Sequence, residues 1–308
     1  MTDVTVVIPT FNGGTRLEQL LAALERDAHR LRVIAVDSGS ADGTLELLRR
    51  RGAEIVPLSP GTFNHGTSRN EGLARATTEF AVVMVQDAVP ASDGWLDALL
   101  APLRADPAVA GSFARQQPWP DATALTAHYL SMWVATSASP RIVGPLTRER
   151  FDAMTPAERH HACAFDNVCS CVRLSAWREH PFRATSIAED LEWAREVLLS
   201  GYKLAYAPAA LVSHSHDRSS SYELQRTYLV HQRLQALFGL STIPTVGSLI
   251  RAVATTLPVH VRMSARERRG RARALARGAA LAVAMPLGQY LGARAAREGR
   301  DLLRTRGV

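Results

Sequence analysis

The sequence predicts a doubly wound α/β fold built on a mainly parallel sheet and followed by a helical, basic C-terminal extension. Strand and helix signals alternate as β-α-β-α-β-α-β through the first 115 residues, and that order belongs to strands laid parallel with helices on both faces. The strand runs are apolar at consecutive positions, as strands buried on both faces must be. Arginine is concentrated at the end of the chain, where residues 259–308 hold 12 Arg and 3 acidic side chains.

Each element follows from its residues. Residues 4–9 form a β-branched run, and residues 15–28 place Leu17, Leu20, Leu21 and Leu24 at helical spacing. A strand at 33–37, a helix at 42–51, a short strand at 54–56, a helix at 66–76 and a strand at 80–85 complete the first half. Beyond residue 115 the alternation stops. A helix is expected near 122–135, a Pro- and Gly-bearing loop over 139–162, a strand at 167–172 and a helix opening near Glu189. Residues 203–208 and 211–215 read as a final strand pair, and the remainder is mainly helical.

A chain of 308 residues with a hydrophobic fraction of 46% buries a substantial core and is not of the disordered class. Cys163, Cys169 and Cys171 are odd in number and lack a C-x-x-C pair, so reduced, buried thiols are expected rather than disulfides or a zinc knuckle. Met1-Thr2-Asp3 has no basic leader character and residues 4–9 are too short for a signal core, which points to a cytoplasmic protein. The net charge of +7 lies in the tail. There Arg262, Arg266, Arg268, Arg269, Arg271, Arg273 and Arg277 precede an apolar stretch, 279–287, broken by Pro286 and flanked by Gly278 and Gly288. That stretch is too short to span a bilayer. It fits an amphipathic element lying on an anionic membrane surface, and equally a solvated helical appendage or a dimerisation surface. With Tyr290 as its one stacking aromatic, the tail is not expected to bind nucleic acid.

Several segments carry candidate chemistry. Pro9-Thr10-Phe11-Asn12-Gly13-Gly14 ends a strand and opens a helix, which aims backbone N–H groups and a positive dipole end at a ligand. It lacks the G-x-G-x-x-G spacing of a dinucleotide site, which argues against an oxidoreductase. Asp37 stands at a strand's carboxyl end, where a carboxylate accepts from a base or ribose, and Asp42 suits a helix cap. Glu189 and Asp190 stand at a helix start, as an acid–base pair or as simple stabilisers of the helix dipole. Arg69 can neutralise a diphosphate or be an ordinary helix arginine. Asn70 lies beside it, and His65 is a nucleotide-side donor or a loop residue. His214-Ser215-His216 puts two imidazoles on one side of a strand, either as metal ligands or in routine hydrogen bonds.

The residues 6–12 (Val-Val-Ile-Pro-Thr-Phe-Asn), with Asp37-Ser38-Gly39-Ser40-Ala41-Asp42-Gly43-Thr44, resemble the nucleotide-binding half of family 2 glycosyltransferases of the GT-A fold, a Rossmann-like doubly wound architecture. The segments 63–72, 85–90, 114–118, 165–170, 189–194 and 212–216 are similar, in the same order, to the bacterial rhamnosyltransferase branch. The resemblance covers roughly residues 3–240 and leaves the tail unexplained. It implies a nucleotide-sugar-binding half over 1–115, an acceptor and catalytic half over 116–240, and a basic helical extension over 241–308.

The family places a D-x-D after the fourth strand to hold a divalent cation against the donor diphosphate. Here the first acid is replaced by Gln86 and Asp87 remains. The resemblance therefore implies Mg²⁺ or Mn²⁺ at Asp87, with His214 or His216 as further ligands. It implies donor contacts from Pro9, Thr10, Phe11, Asn12, Asp37, His65, Arg69, Asn70, Gln86 and Asp87. Asp190 is the implied general base of an inverting transfer, and Glu189 orients it or binds acceptor. The expected donor is dTDP-rhamnose and the expected acceptor a glycan or lipid-linked hydroxyl, on the inner face of the cell membrane. A UDP-hexose donor and a non-catalytic membrane-surface scaffold are the alternatives.

Overall fold

The computed structural model describes residues 3–267 and 270–303. In chain order the first half runs β1 (Val4–Thr10), α1 (Gly14–Leu24), β2 (Leu31–Asp37), α2 (Thr44–Arg50), β3 (Glu54–Pro57), α3 (His65–Leu73) and β4 (Phe80–Met84). These four strands pair parallel in the order β3-β2-β1-β4. Both faces are apolar because both are covered. Val6, Ile8 and Val82 meet the leucines of α1, whereas Val7, Val36 and Val83 meet Leu73 of α3. The approach of α3 is close enough that a Cβ at Gly72 would stand 2.3 Å from Val7 Cγ1, so only glycine fits there.

The chain continues through β5 (Val89–Pro90), α4 (Trp95–Ala105), β6 (Val109–Gln117), α5 (Ala124–Ser131), β7 (Arg141–Val143), α6 (Arg148–Ala153), α7 (Pro156–Ala162), β8 (Cys169–Arg173), α8 (Leu174–Glu179), α9 (Glu189–Leu199) and β9 (Lys203–Ser213). β8 inserts antiparallel between β4 and β6, and β9 joins the far side of β6, so nine strands form one mixed sheet. The division at 115/116 falls inside β6, and the two halves share this sheet. All three cysteines are free and buried.

Three expectations need correction. The segment 139–162 is not a plain loop. It holds β7, α6 and α7, because Thr147 and Thr155 cap the two helices, Glu158 completes a capping box and Pro156 opens α7. The expected strand pair near the end of the sheet is the single strand β9. Its pairing with β6 slips between Ala207 and Leu211, where Pro208 has no N–H to donate. The helix expected at 122–135 stops at Ser131 and passes into a 3₁₀ turn, Val134–Thr136.

The remainder forms α10 (Ser220–Phe238), α11 (Val246–Ser264) and α12 (Arg271–Glu298). Pro286 does not break the tail, since α12 runs through it. The Ala282 carbonyl that its missing N–H would have engaged accepts from Thr256 Oγ1 of α11 at 3.5 Å. Glycines let α12 lie on the backbone of α10, and a Cβ at Gly292 would meet Tyr228 O at 2.1 Å. Leu281, Ala282, Ala284 and Pro286 are buried in consequence, so most of the stretch expected to lie on a membrane is packed against protein. Among the described residues no helix is long and apolar enough to cross a membrane.

Candidate active site

The carboxyl ends of β1, β2 and β4 bring the N-terminal motifs together. Asn12 takes a left-handed backbone (φ 47°). Its N–H donates to Ser40 Oγ and its Oδ1 accepts from Ala41 N, each at 2.9 Å. Gln86 holds the same loop from the other side, donating through Nε2 to Phe11 O at 3.0 Å and accepting at Oε1 from Phe11 N at 2.9 Å. An acid at this position has no N–H to give Phe11 O, so the amide here clamps the loop. Pro9 lies within β1 opposite Val36, and Phe11 is 55% exposed.

Asp37 is held within its own turn. It is 3% exposed and accepts from Gly39 N and Ser40 N at 2.9 Å, from Ser40 Oγ at 2.6 Å and from Thr10 Oγ1 at 3.1 Å. Its oxygens, and the Thr10 hydroxyl with them, build the turn that follows β2. Arg69 and Asn70 are likewise engaged within the fold. Arg69 Nη1 meets Glu189 Oε1 at 2.8 Å, both side chains being almost fully buried, and donates to His65 O at 2.9 Å. Asn70 accepts from Trp177 Nε1 and Phe182 N and donates to Phe182 O, fastening α3 to the segment before α9. His65 opens α3 with its ring edge-on to Phe63 at 4.9 Å.

At the start of α9 the residue before Glu189 is strained. Ala188 has φ 63° and ψ 33° without being glycine, a conformation that persists only where surrounding contacts enforce it. The twist turns Glu189 inward to Arg69 and to Asn167 Nδ2 at 3.2 Å. Asp190 is half-buried, accepting from Leu191 N at 2.8 Å and from Asn167 N at 3.4 Å. The two carboxyls are driven apart in acidity. Burial opposes the charge of Glu189, but Arg69, His65 and Asn167 outweigh it and hold its pKa below the usual range. Burial, then the neighbouring charges of Glu189 and Asp166, pushes Asp190 well above that range. A carboxylate that binds a proton this readily has the property a general base needs.

The metal candidates converge as well. Donor atoms of Asp87, His214 and His216 lie within 4.8 Å of one another, with His216 Nε2 at 3.2 Å and His214 Nε2 at 3.7 Å from the Asp87 carboxylate. Burial lowers the pKa of both imidazoles, His214 to about 4, which keeps them neutral as ligands must be. Gln116 orients His214. Its Nε2 donates to Asp166 Oδ2, so its Oε1 is the atom that meets His214 Nδ1 at 3.0 Å. Nδ1 therefore carries the proton and Nε2 presents a lone pair toward Asp87. Asp166, itself raised in pKa by burial, also accepts from Trp133 Nε1 and Val168 N at 2.9 Å. One carboxylate and two neutral imidazoles can serve a divalent cation whose shell phosphate and water oxygens complete, and the imidazoles suit Mn²⁺ better than the oxygen-preferring Mg²⁺.

Sequence reasoning passed over the residues beside this triad. A polar cleft of about 250 Å³ is lined by Arg16, Trp119, Asp121, Ser215, His216 and Arg218. Arg16 stacks 3.8 Å above the Trp119 ring and pairs with Asp121. The positive charges of Arg218 and Arg226 reach His214 and His216. Gln116 and Asp166 did lie in recognised segments, at 114–118 and 165–170, but without an assigned role. Nothing in the sequence marked Arg16 or Trp119, which meet only through the fold.

The sequence model of "Glycosyl transferase family 2" matches residues 5–157. The O-antigen chain rhamnosyltransferase WbaN of Salmonella anatum is 30% identical over 238 residues, covering 74% of this chain and 71% of that protein. The O-antigen chain rhamnosyltransferase RfbN of Salmonella typhimurium is 28% identical over 228 residues, covering 73% and 70%. Among solved structures, the mannosyltransferase PcManGT from Pyrobaculum calidifontis, in complex with GDP-Man and Mn²⁺, superposes with a TM-score of 0.62 at 19% identity over 97% of this chain and 88% of that one. With this sheet order, these convergent motifs and these relatives, the chain belongs to glycosyl transferase family 2 and is a glycosyltransferase of the GT-A fold.

Proposed function

We propose that the chain transfers L-rhamnose from dTDP-rhamnose to a hydroxyl of a glycan or lipid-linked acceptor, with inversion at the anomeric carbon. The observation that carries this reading is that Asp166 lies beside Asp190 and, through Gln116, holds His214 of the Asp87–His214–His216 set. The names of the two Salmonella relatives support rhamnose as the sugar. The Mn²⁺ in the PcManGT complex supports a divalent cation.

The donor lies over the loop of Pro9, Thr10, Phe11 and Asn12, with Phe11 supplying an exposed ring for the base. Asp87, His214 and His216 would hold the cation, which would supply Lewis-acid stabilisation of the departing diphosphate. Arg16, Arg218 and Arg226, rather than Arg69, add positive charge there. Asp190 takes the acceptor proton as the hydroxyl oxygen attacks C1 from the face opposite the diphosphate. Glu189, neutralised by Arg69, keeps Asp190 basic and in place. The acceptor is met at the inner face of the cell membrane.

An Asp190→Asn variant tests the base. It should bind dTDP-rhamnose as the wild type does while transfer falls by about 10²–10⁴, and near-normal turnover would remove the assignment. Calorimetric competition among dTDP, UDP and GDP sugars, with and without Mn²⁺, tests the donor. Preference for UDP-glucose replaces rhamnose, and binding of no nucleotide sugar favours a scaffold instead.

A further inference from the structure

α12 gives most of its apolar residues to the fold, whereas α11 leaves four large apolar side chains exposed along one side. Val246, Ile250, Leu257 and Val261 are 57, 65, 38 and 40% exposed, and at 100° per residue their spacings of 4, 7 and 4 put them within one 60° stripe. The stripe runs the length of the 19-residue helix. Exposed apolar side chains are ordinary when scattered, but four aligned on one helix form a surface that something covers.

Charge selects the occupant. α11 carries Arg251 and Arg262 and no acid, and residues 246–277 contain eight arginines against the single acid Glu267. A two-fold contact between copies of this chain presses a surface against itself, which here sets arginine against arginine. An anionic bilayer meets both features, taking the apolar stripe at the acyl boundary and the arginines at its headgroups.

We propose that the outward face of α11, rather than the apolar stretch of α12, is the element that docks this enzyme on an anionic lipid surface. The proposal deepens the reading of a membrane-side acceptor and rests on that reading for its purpose. The helix is tied to the catalytic cleft. His260 of α11 bonds Tyr129 of α5, and Glu267, just past its end, accepts from Ala124 N. Arg277 of α12 pairs at 3.1 Å with Asp217, the neighbour of His216. A bilayer under α11 thus lies against the elements that flank the triad, where a lipid-linked acceptor would present its hydroxyl.

The test is co-sedimentation of the full chain with vesicles of phosphatidylglycerol and phosphatidylcholine, compared with phosphatidylcholine alone. Calorimetric binding of dTDP-rhamnose is measured on the same preparations. The wild type should bind the anionic vesicles, weakly at high salt. Ile250→Glu/Leu257→Glu should lose at least about tenfold, and Arg251→Gln/Arg262→Gln, which leaves the apolar stripe intact, about fivefold per arginine. All variants should keep native circular dichroism. Failure of the wild type to bind the anionic vesicles overturns the proposal, as does unchanged binding by the double-glutamate variant. A wild-type dimer that the double-glutamate variant dissociates, with no vesicle binding, assigns the stripe to a second copy and also overturns it. Vesicle binding without donor binding leaves this proposal standing and removes the rhamnosyl reading.

Discussion

Replacing Arg69 by methionine takes the cation out of a buried pair and leaves its partner in place. Arg69 Nη1 and Glu189 Oε1 are 2.8 Å apart with side chains 5 and 6% exposed. Their attraction at an effective dielectric of 20 is about 6 kcal/mol. Burying the two ions costs several kcal/mol each, so the intact pair contributes little net stability. Arg69 Nε, buried without a hydrogen bond, adds to that cost. Removing one partner is a different matter, because Glu189 then remains buried beside Asp190 and Asp166 with its main counter-charge gone. Arg69→Met should lose about 3–5 kcal/mol in urea unfolding at neutral pH. Arg69→Met/Glu189→Leu should recover most of it, since neither ion is then buried. The pH dependence has a definite sign. In the wild type the depressed pKa of Glu189 contributes stability above the unfolded carboxylate value, and that stability is lost as pH falls through the lower folded value. In Arg69→Met burial wins and the folded pKa rises, so the penalty is full at neutral pH and fades as pH falls toward about 4. The gap between the two proteins should therefore narrow on acidification. A loss under about 1 kcal/mol, or a gap equal at pH 7 and at about 4.5, would refute the buried-pair account.

Other outcomes follow from the same geometry. The transfer rate should rise with pH along a limb set by Asp190, and Glu189→Gln, which removes a charge that raises Asp190, should move that limb to lower pH; an unmoved limb separates the two acids. Gln116→Leu releases the Nδ1 proton of His214 from its acceptor, so Mn²⁺ affinity by titration should weaken about 10–100-fold, while unaltered affinity would show that the tautomer is set elsewhere. Gln86→Asp adds an acid beside Asp87 but cannot donate to Phe11 O; a raised KM for donor is expected, and tighter metal binding with faster turnover would overturn the clamp role.

The strands of the first half were legible because their signal is local. Residues 4–9, 33–37 and 80–85 are apolar on both faces, and burial on both faces is what the parallel core requires. Gly72 and Gly292, by contrast, show their purpose only once the opposing Val7 or Tyr228 backbone is in place. The short helices within 139–162 are announced by the capping residues Thr147, Thr155 and Glu158, a local pattern that the surrounding proline and glycine mask.

The sequence by itself determined the alternating fold and the family, and it singled out Asp190, Asp87, His214 and His216 as site candidates. These lie in segments whose local spacing or motif survives without neighbours. Tertiary structure decided what each polar side chain faces. It turned Asp37 into its own loop, gave Arg69 to Glu189 across 120 residues of chain, linked Gln116 to Asp166 and His214, and set Arg16 over Trp119. It also buried the apolar stretch of α12 while leaving that of α11 outside. Hydrophobic pattern is a property of neighbours along the chain, whereas the partner of a charge is chosen by which groups the packed core leaves within about 3 Å.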